Sequence, residues 1–160
     1  MKKFVVGTTL ALGIVASSII GAMAGSLDRE GWVTHKTQYS YKELNAKLNE
    51  SIKANGMRRV TGASASAGAK NRGLTIPGNR IVGVYRNDFA TRMLEASLAA
   101  GMEAPIRYYV TENSDGTANL SFKTPTFVFS PYFDEGGDKL KELASELDAL
   151  FGKIADEAVK

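Results

Sequence analysis

The chain has 160 residues, a formal net charge of +3, a single histidine at position 35 and no cysteine. The lack of cysteine excludes disulfides, thiol catalysis, cysteine-bound metals and a lipid anchor formed on a cysteine. So small a charge does not favour nucleic acid or an acidic membrane surface as the partner.

The N-terminus has the features of an export signal. Lys2 and Lys3 precede an apolar run over 4–20, and a small-x-small sequence ends at Ala24. We predict a signal peptide over 1–24 with cleavage after Ala24, although a run of about 18 apolar residues also suits an uncleaved membrane anchor. Cleavage would leave 25–160 as one domain, with a charge of +1 once both lysines are gone and no membrane attachment. A cysteine-free exported protein fits the bacterial periplasm, so we expect a periplasmic or secreted protein.

The first half of the mature chain begins with a strand and a helix. Trp32–Ser40 alternates polar residues with β-branched and aromatic ones, which is typical of a strand, with His35 on the same face as Val33. Ser40 and Glu43 form a capping box for a helix that ends at Gly56.

The middle of the chain continues with strands and a second helix. A strand is predicted at 57–61, and the small residues of 62–73 indicate either its continuation or a mobile loop. A third strand follows at 80–85, and a second helix at 89–100 ends at Gly101. The apolar residues of that helix lie on more than one face, which suggests burial within the domain or against a second copy.

The last part contains a hairpin and a long helix. Strands at 106–111 and 118–123 flank a turn at 113–116, and an apolar connection over 124–134 leads to a helix that Asp138 would cap. The predicted class is therefore α+β, an antiparallel sheet of about five strands with helices packed on one face, in the order β-α-β-β-α-β-β-α.

Several short motifs in this order resemble the bacterial domain of unknown function 302 family over about 33–133. They are Asn55-Gly56-Met57, the segment 67–74, the strand 80–84 and Ala104-Pro105-Ile106-Arg107. The resemblance implies a compact α+β fold that often self-associates, hence a homodimer, and no established activity. Many relatives have an Asp-His pair just before the alanine-rich segment, where this chain has Ser64 and Ala65, so no catalytic role is carried over.

The candidate ligand-binding residues are the cations around the flexible segment, together with the histidine. Guanidinium and ammonium groups beside mobile backbone suit an anionic small molecule, although a solvated surface is the alternative explanation. The residues are Lys70, Arg72, Arg80, Arg86 and His35.

No other motif supports a specific chemistry. The glycine-rich segment 62–70 has the wrong spacing for a phosphate-binding loop, and Asp134 and Glu135 lack the spacing of a calcium loop. We therefore expect no catalytic residues, no metal and no cofactor, and interpret the protein as a non-enzymatic binding or interaction module. The alternatives are an enzyme or accessory factor acting on a small anionic or apolar ligand, and a purely structural envelope protein.

Overall fold

The computed structural model describes residues 27–160, so the predicted signal peptide lies outside the described residues. The strands are β1 Trp32–Ser40, β2 Arg58–Ala63, β3 Asn79–Tyr85, β4 Ile106–Glu112 and β5 Thr117–Lys123. The helices are α1 Tyr41–Ala54, α2 Ala65–Lys70, α3 Asn87–Ala96, α4 Pro125–Phe129 and α5 Phe133–Ala158, with 3-10 turns at Ala99–Glu103 and Ser130–Tyr132.

The five strands form one antiparallel sheet in the order β1-β5-β4-β3-β2. The hairpin of β4 and β5 lies at its centre, and the first two strands of the sequence form its two edges. Helices α1, α3 and α5 cover one face, so the predicted α+β class with helices on one side is confirmed.

Alternation along the strands separates a buried face from an open face. Tyr108 and Val110 of β4 and Leu120 of β5 are fully buried beneath the helices. Arg107 and Tyr109, the intervening residues of β4, therefore point to the opposite face. Within residues 27–160, the long helices α1, α3 and α5 all lie against the buried face.

Tyr108 anchors the centre of the core. Its ring stacks on Phe151 of α5 at a centroid distance of 4.8 Å, and its hydroxyl donates a hydrogen bond of 3.0 Å to the Phe151 carbonyl oxygen. Burial raises the pKa of the Tyr108 phenol far above its ordinary value. One residue therefore ties the central strand to the longest helix.

The structure confirms the predicted cap of α1 and corrects two predictions for the middle of the chain. Ser40 Oγ accepts a hydrogen bond from the Glu43 amide. The small-residue segment 62–73 was predicted to be either a continuation of the strand or a mobile loop. It contains the short helix α2 instead, which Ser64 caps. Helix α3 stops at Ala96, four residues early, because Ser97 is extended.

The apolar connection before the last helix is itself helical. Thr124 caps α4, and α5 begins at Phe133 rather than at Asp138. Gly137 has φ of 55° and interrupts α5, so the regular part of the helix still starts where Asp138 was predicted to cap it. In the described part of the chain, no helix combines the length and the apolar character needed to cross a membrane.

Tyr108→Phe tests the anchoring hydrogen bond. We expect a loss of about 1–2 kcal/mol in the free energy of unfolding at pH 8, because a buried carbonyl loses its donor. Above about pH 10 the unfolded chain releases a phenol proton that folded Tyr108 keeps, so stability should fall with rising pH by up to about 1.4 kcal/mol per unit. Urea titrations at pH 8, 10 and 11 measure the free energy of unfolding. Its fall with rising pH should be smaller in Tyr108→Phe than in the wild type.

Tyr85→Phe is the matched control, because its hydroxyl contacts only the exposed Asn87 side chain at 3.2 Å. It should change stability by less than about 0.5 kcal/mol and keep the alkaline slope. Equal slopes in the wild type and in Tyr108→Phe would contradict the buried, neutral phenol.

Candidate functional site

A pocket of about 470 Å³ lies on the open face of the sheet. Volumes of about 300–1,000 Å³ are usual for small-molecule sites. The lining comes from all five strands or their ends, from α2 and α4, and from the 3-10 turn at Ala99–Glu103. Its residues are Trp32, Ala63, Ala65, Asn79, Ile81, Glu103, Ile106, Arg107, Tyr108, Tyr109, Phe122, Lys123 and Val128.

The floor of the pocket follows from strand register. Tyr109 lies opposite Ile81 in the β3–β4 pair, so both side chains lie on the open face. Ile81 is 39% exposed, which is unusual for an isoleucine in a central part of a sheet. The floor is therefore apolar and accessible.

One wall is formed by aromatic residues around a lysine. Trp32 lies opposite Lys123 in the β1–β5 pair, and the Lys123 Nζ atom is 5.9 Å from the Trp32 ring centroid and 5.8 Å from that of Phe127. Cations within about 6 Å of a ring centroid are attracted by its π-electrons. Both rings therefore hold the lysine ammonium at the rim of the pocket.

The lining also contains a carboxylate and a further apolar side chain. Glu103 accepts a hydrogen bond of 2.8 Å from the Tyr132 hydroxyl, and this contact raises the pKa of Tyr132. Val128 of α4 lines the pocket as well. The hydrogen bond links the 3-10 turn to the connection before α5 and so fixes this part of the lining.

The structure does not bring the five sequence-predicted site residues together. Lys70 ends α2 and Arg72 follows it, both exposed and outside the pocket. Arg86 pairs with Asp88 at 2.8 Å and lies 4.2 Å from the Phe89 ring centroid, beside a separate apolar cavity of about 40 Å³ that is too small for an organic ligand.

His35 and Arg80 share a face but are separated by the core. The register aligns His35 with Leu120, Leu120 with Val110 and Val110 with Arg80, in one row across four strands. Strands about 4.8 Å apart put the ends of this row about 14 Å from each other. Both residues point toward the helices, away from the pocket, and buried aliphatic side chains lie between them.

Sequence reasoning missed the residues that the pocket uses. The signal was present, because the hairpin strands alternate and Arg107, Tyr109 and Lys123 fall on the face opposite the buried residues. No group of three or more metal-binding side chains occurs within residues 27–160.

Taken together, the open antiparallel sheet and its pocket define a two-layer α+β protein with a potential ligand site on the uncovered layer. The chain belongs to the family described as Domain of unknown function DUF302, whose model matches residues 33–158. The predicted family resemblance is thereby confirmed.

A solved structure of an uncharacterized conserved DUF302 protein from Bacillus stearothermophilus is similar in fold. It has a TM-score of 0.72 and 22% identity, and the alignment covers 81% of this chain and 99% of that one. At this identity the similarity shows the fold alone.

Curated relatives include fluoride-specific ion channels. FluC 1 of Brucella suis is 26% identical over 106 residues, which are 66% of this chain and 41% of that protein. FluC 1 of Brucella abortus is also 26% identical, with 39% of its length matched. The chain thus spans about two fifths of these relatives, and their names describe whole proteins of which it matches a part.

Substituting Gly31 tests how the aromatic wall is held. Gly31 has φ of +72°, and a Cβ atom there would overlap the Phe127 ring. We expect Gly31→Ala to cost the strain of a left-handed alanine, about 1–2 kcal/mol, and to displace Phe127 as well. Urea unfolding and the emission of Trp32, the only tryptophan, would measure both effects.

Gly56→Ala is the matched control, because Gly56 has φ of +70° but nothing within 4 Å of a Cβ atom. It should show the backbone cost alone and leave Trp32 emission unchanged. Identical effects of the two substitutions would contradict close packing of Phe127 on Gly31.

Proposed function

We propose that this protein is a non-enzymatic binding module whose ligand is a small molecule held in the open-face pocket. The observation that carries the proposal is the pocket itself, with an apolar floor of Ile81 and Tyr109 and polar groups at its rim. Such a combination is the usual composition of a ligand site.

Binding is favoured over catalysis by the arrangement of titratable groups. The enzyme alternative would need a general base beside the candidate arginines, and His35 is the candidate for that base. The histidine instead lies on the helix-covered face, in a row with buried Leu120 and Val110. Among the described residues, Glu103 is the one carboxylate of the pocket lining, and it accepts a hydrogen bond from Tyr132.

The neutral dye N-phenyl-1-naphthylamine is a suitable first probe, because its fluorescence rises in apolar surroundings. We expect binding with energy transfer from Trp32, which lines the pocket. Ile81→Thr should weaken binding about fivefold, since it removes apolar contact while keeping a β-branched side chain. Titration followed by dye emission measures the effect.

Val60→Thr provides the matched control. Val60 is also β-branched and half-exposed, at 45%, but it lies at the bulge of β2 outside the pocket. Its substitution should leave dye affinity unchanged. Dye binding that is insensitive to Ile81→Thr, or equally sensitive to both substitutions, would contradict the pocket as the site.

We further propose that the chain is exported to the periplasm and forms a homodimer there. Export is supported by the N-terminal sequence features alone. Self-association is supported by three exposed apolar side chains in α3 and in the segment that follows it: Leu94 at 46%, Leu98 at 78% and Met102 at 85% exposure. Apolar side chains grouped in this way commonly mark an interaction surface.

Native mass spectrometry of the protein from its own host tests both proposals at once. We expect a subunit that begins at Gly25 and a mass of two subunits, and Leu98→Glu should shift the population to monomer. A subunit retaining residues 1–24 would contradict cleavage, and a wild-type monomer would contradict the dimer.

A further inference from the structure

Two cations of the pocket lining, Arg107 and Lys123, face each other at the rim. The β4–β5 register pairs Tyr108 with Phe122, and one step further it sets Arg107 opposite Lys123. Directly opposed residues of antiparallel strands have Cβ atoms about 4.5–5.5 Å apart, and like charges in this arrangement destabilise a sheet. The sequence thus places two mutually repelling cations at the rim of a ligand-sized pocket.

Neither cation forms an ion pair with another residue of 27–160. Glu103, the carboxylate of the pocket lining, accepts its hydrogen bond from Tyr132 instead. Lys123 is held by aromatic rings, which fix its position without cancelling its charge.

We propose that the ligand is an amphiphilic oxyanion, whose carboxylate, sulfonate or phosphate group binds between Arg107 and Lys123 and whose flat apolar body lies on the pocket floor. This inference rests on the proposed function. The guanidinium of Arg107 offers a planar fork of donors that matches two oxygens of such a group, and the ammonium of Lys123 adds a point charge. An anion bound between the two side chains relieves the repulsion between their charges.

The apolar part of the ligand is defined by the same surface. Trp32 and Tyr109 bracket the two cations on the open face, and Ile81 extends the floor toward β2. Aromatic side chains present flat apolar area at low conformational cost. A ring system or short acyl chain attached to the anion therefore covers these side chains.

Two dyes with nearly the same scaffold test the proposal. 8-Anilino-1-naphthalenesulfonate carries an anionic group, and N-phenyl-1-naphthylamine is its neutral counterpart. We expect the sulfonate to bind at least about tenfold more tightly, with an advantage that shrinks as salt rises from 20 to 300 mM. Arg107→Gln and Lys123→Gln should each weaken sulfonate binding about five- to tenfold and change binding of the neutral dye less than twofold.

Lys36→Gln is the matched control, because Lys36 is an exposed cation on the same open face of β1 but lies outside the pocket. It should affect neither dye. Circular dichroism of all three variants should match the wild type, since the substituted side chains are exposed.

The outcomes separate the two proposals. Equal affinity for both dyes, with Ile81→Thr still weakening each, would overturn the anion preference and leave the pocket as a binding site. If neither dye binds, or if Ile81→Thr weakens the binding of neither, the proposed function itself would be overturned. A sulfonate preference that persists in both Arg107→Gln and Lys123→Gln would place the anion elsewhere and also overturn the inference.

Discussion

The pairing register of β4 and β5 is the constraint on which the rest of the structure depends. Its turn is fixed by Gly116, which has φ of +84°, and by Asp115, which accepts hydrogen bonds from the Thr117 amide at 3.0 Å and from the Thr117 hydroxyl at 2.6 Å. These bonds lower the pKa of Asp115. A slip of one residue would exchange the two faces of the hairpin, because side chains alternate with a period of two. The turn therefore decides which residues enter the core.

The two faces set by this register have opposite roles. On the inner face, Tyr108 reaches Phe151 of α5 and ties the helical layer to the central strand. On the outer face, the residues next to Tyr108 and Phe122 are Arg107 and Lys123, which the same hydrogen-bonding pattern forces into opposition. The core and the candidate site thus both depend on the β4–β5 register. Any shift of this register would change the residues on both faces at once.

Much of the fold was predictable because its elements are marked by local chemistry. The cap at Ser40 and the alternation in β4 and β5 each depend on residues close together in sequence, and the structure confirms them. The short helix α2 was missed because six alanine-, serine- and glycine-rich residues carry no apolar periodicity; Ser64 and tertiary contacts such as that between the Ala65 amide and Asn79 stabilise it. The end of α3 was predicted from Gly101, a common helix terminator, but the helix ends at Ala96 because Ser97 is extended.

The candidate site was less predictable, because it depends on which strands become neighbours. Cations close together in the sequence, such as Arg72, Arg80 and Arg86, separate onto a loop, the covered face and a helix start once the chain folds. Arg107 and Lys123 are 16 positions apart and carry no motif, yet the hairpin register makes them neighbours. The repulsion between Arg107 and Lys123 is offset when an anion binds between them, since the anion is attracted by both charges at once. A site of this kind is recognised by the opposition of its two cations, which becomes visible only when the two strands are aligned.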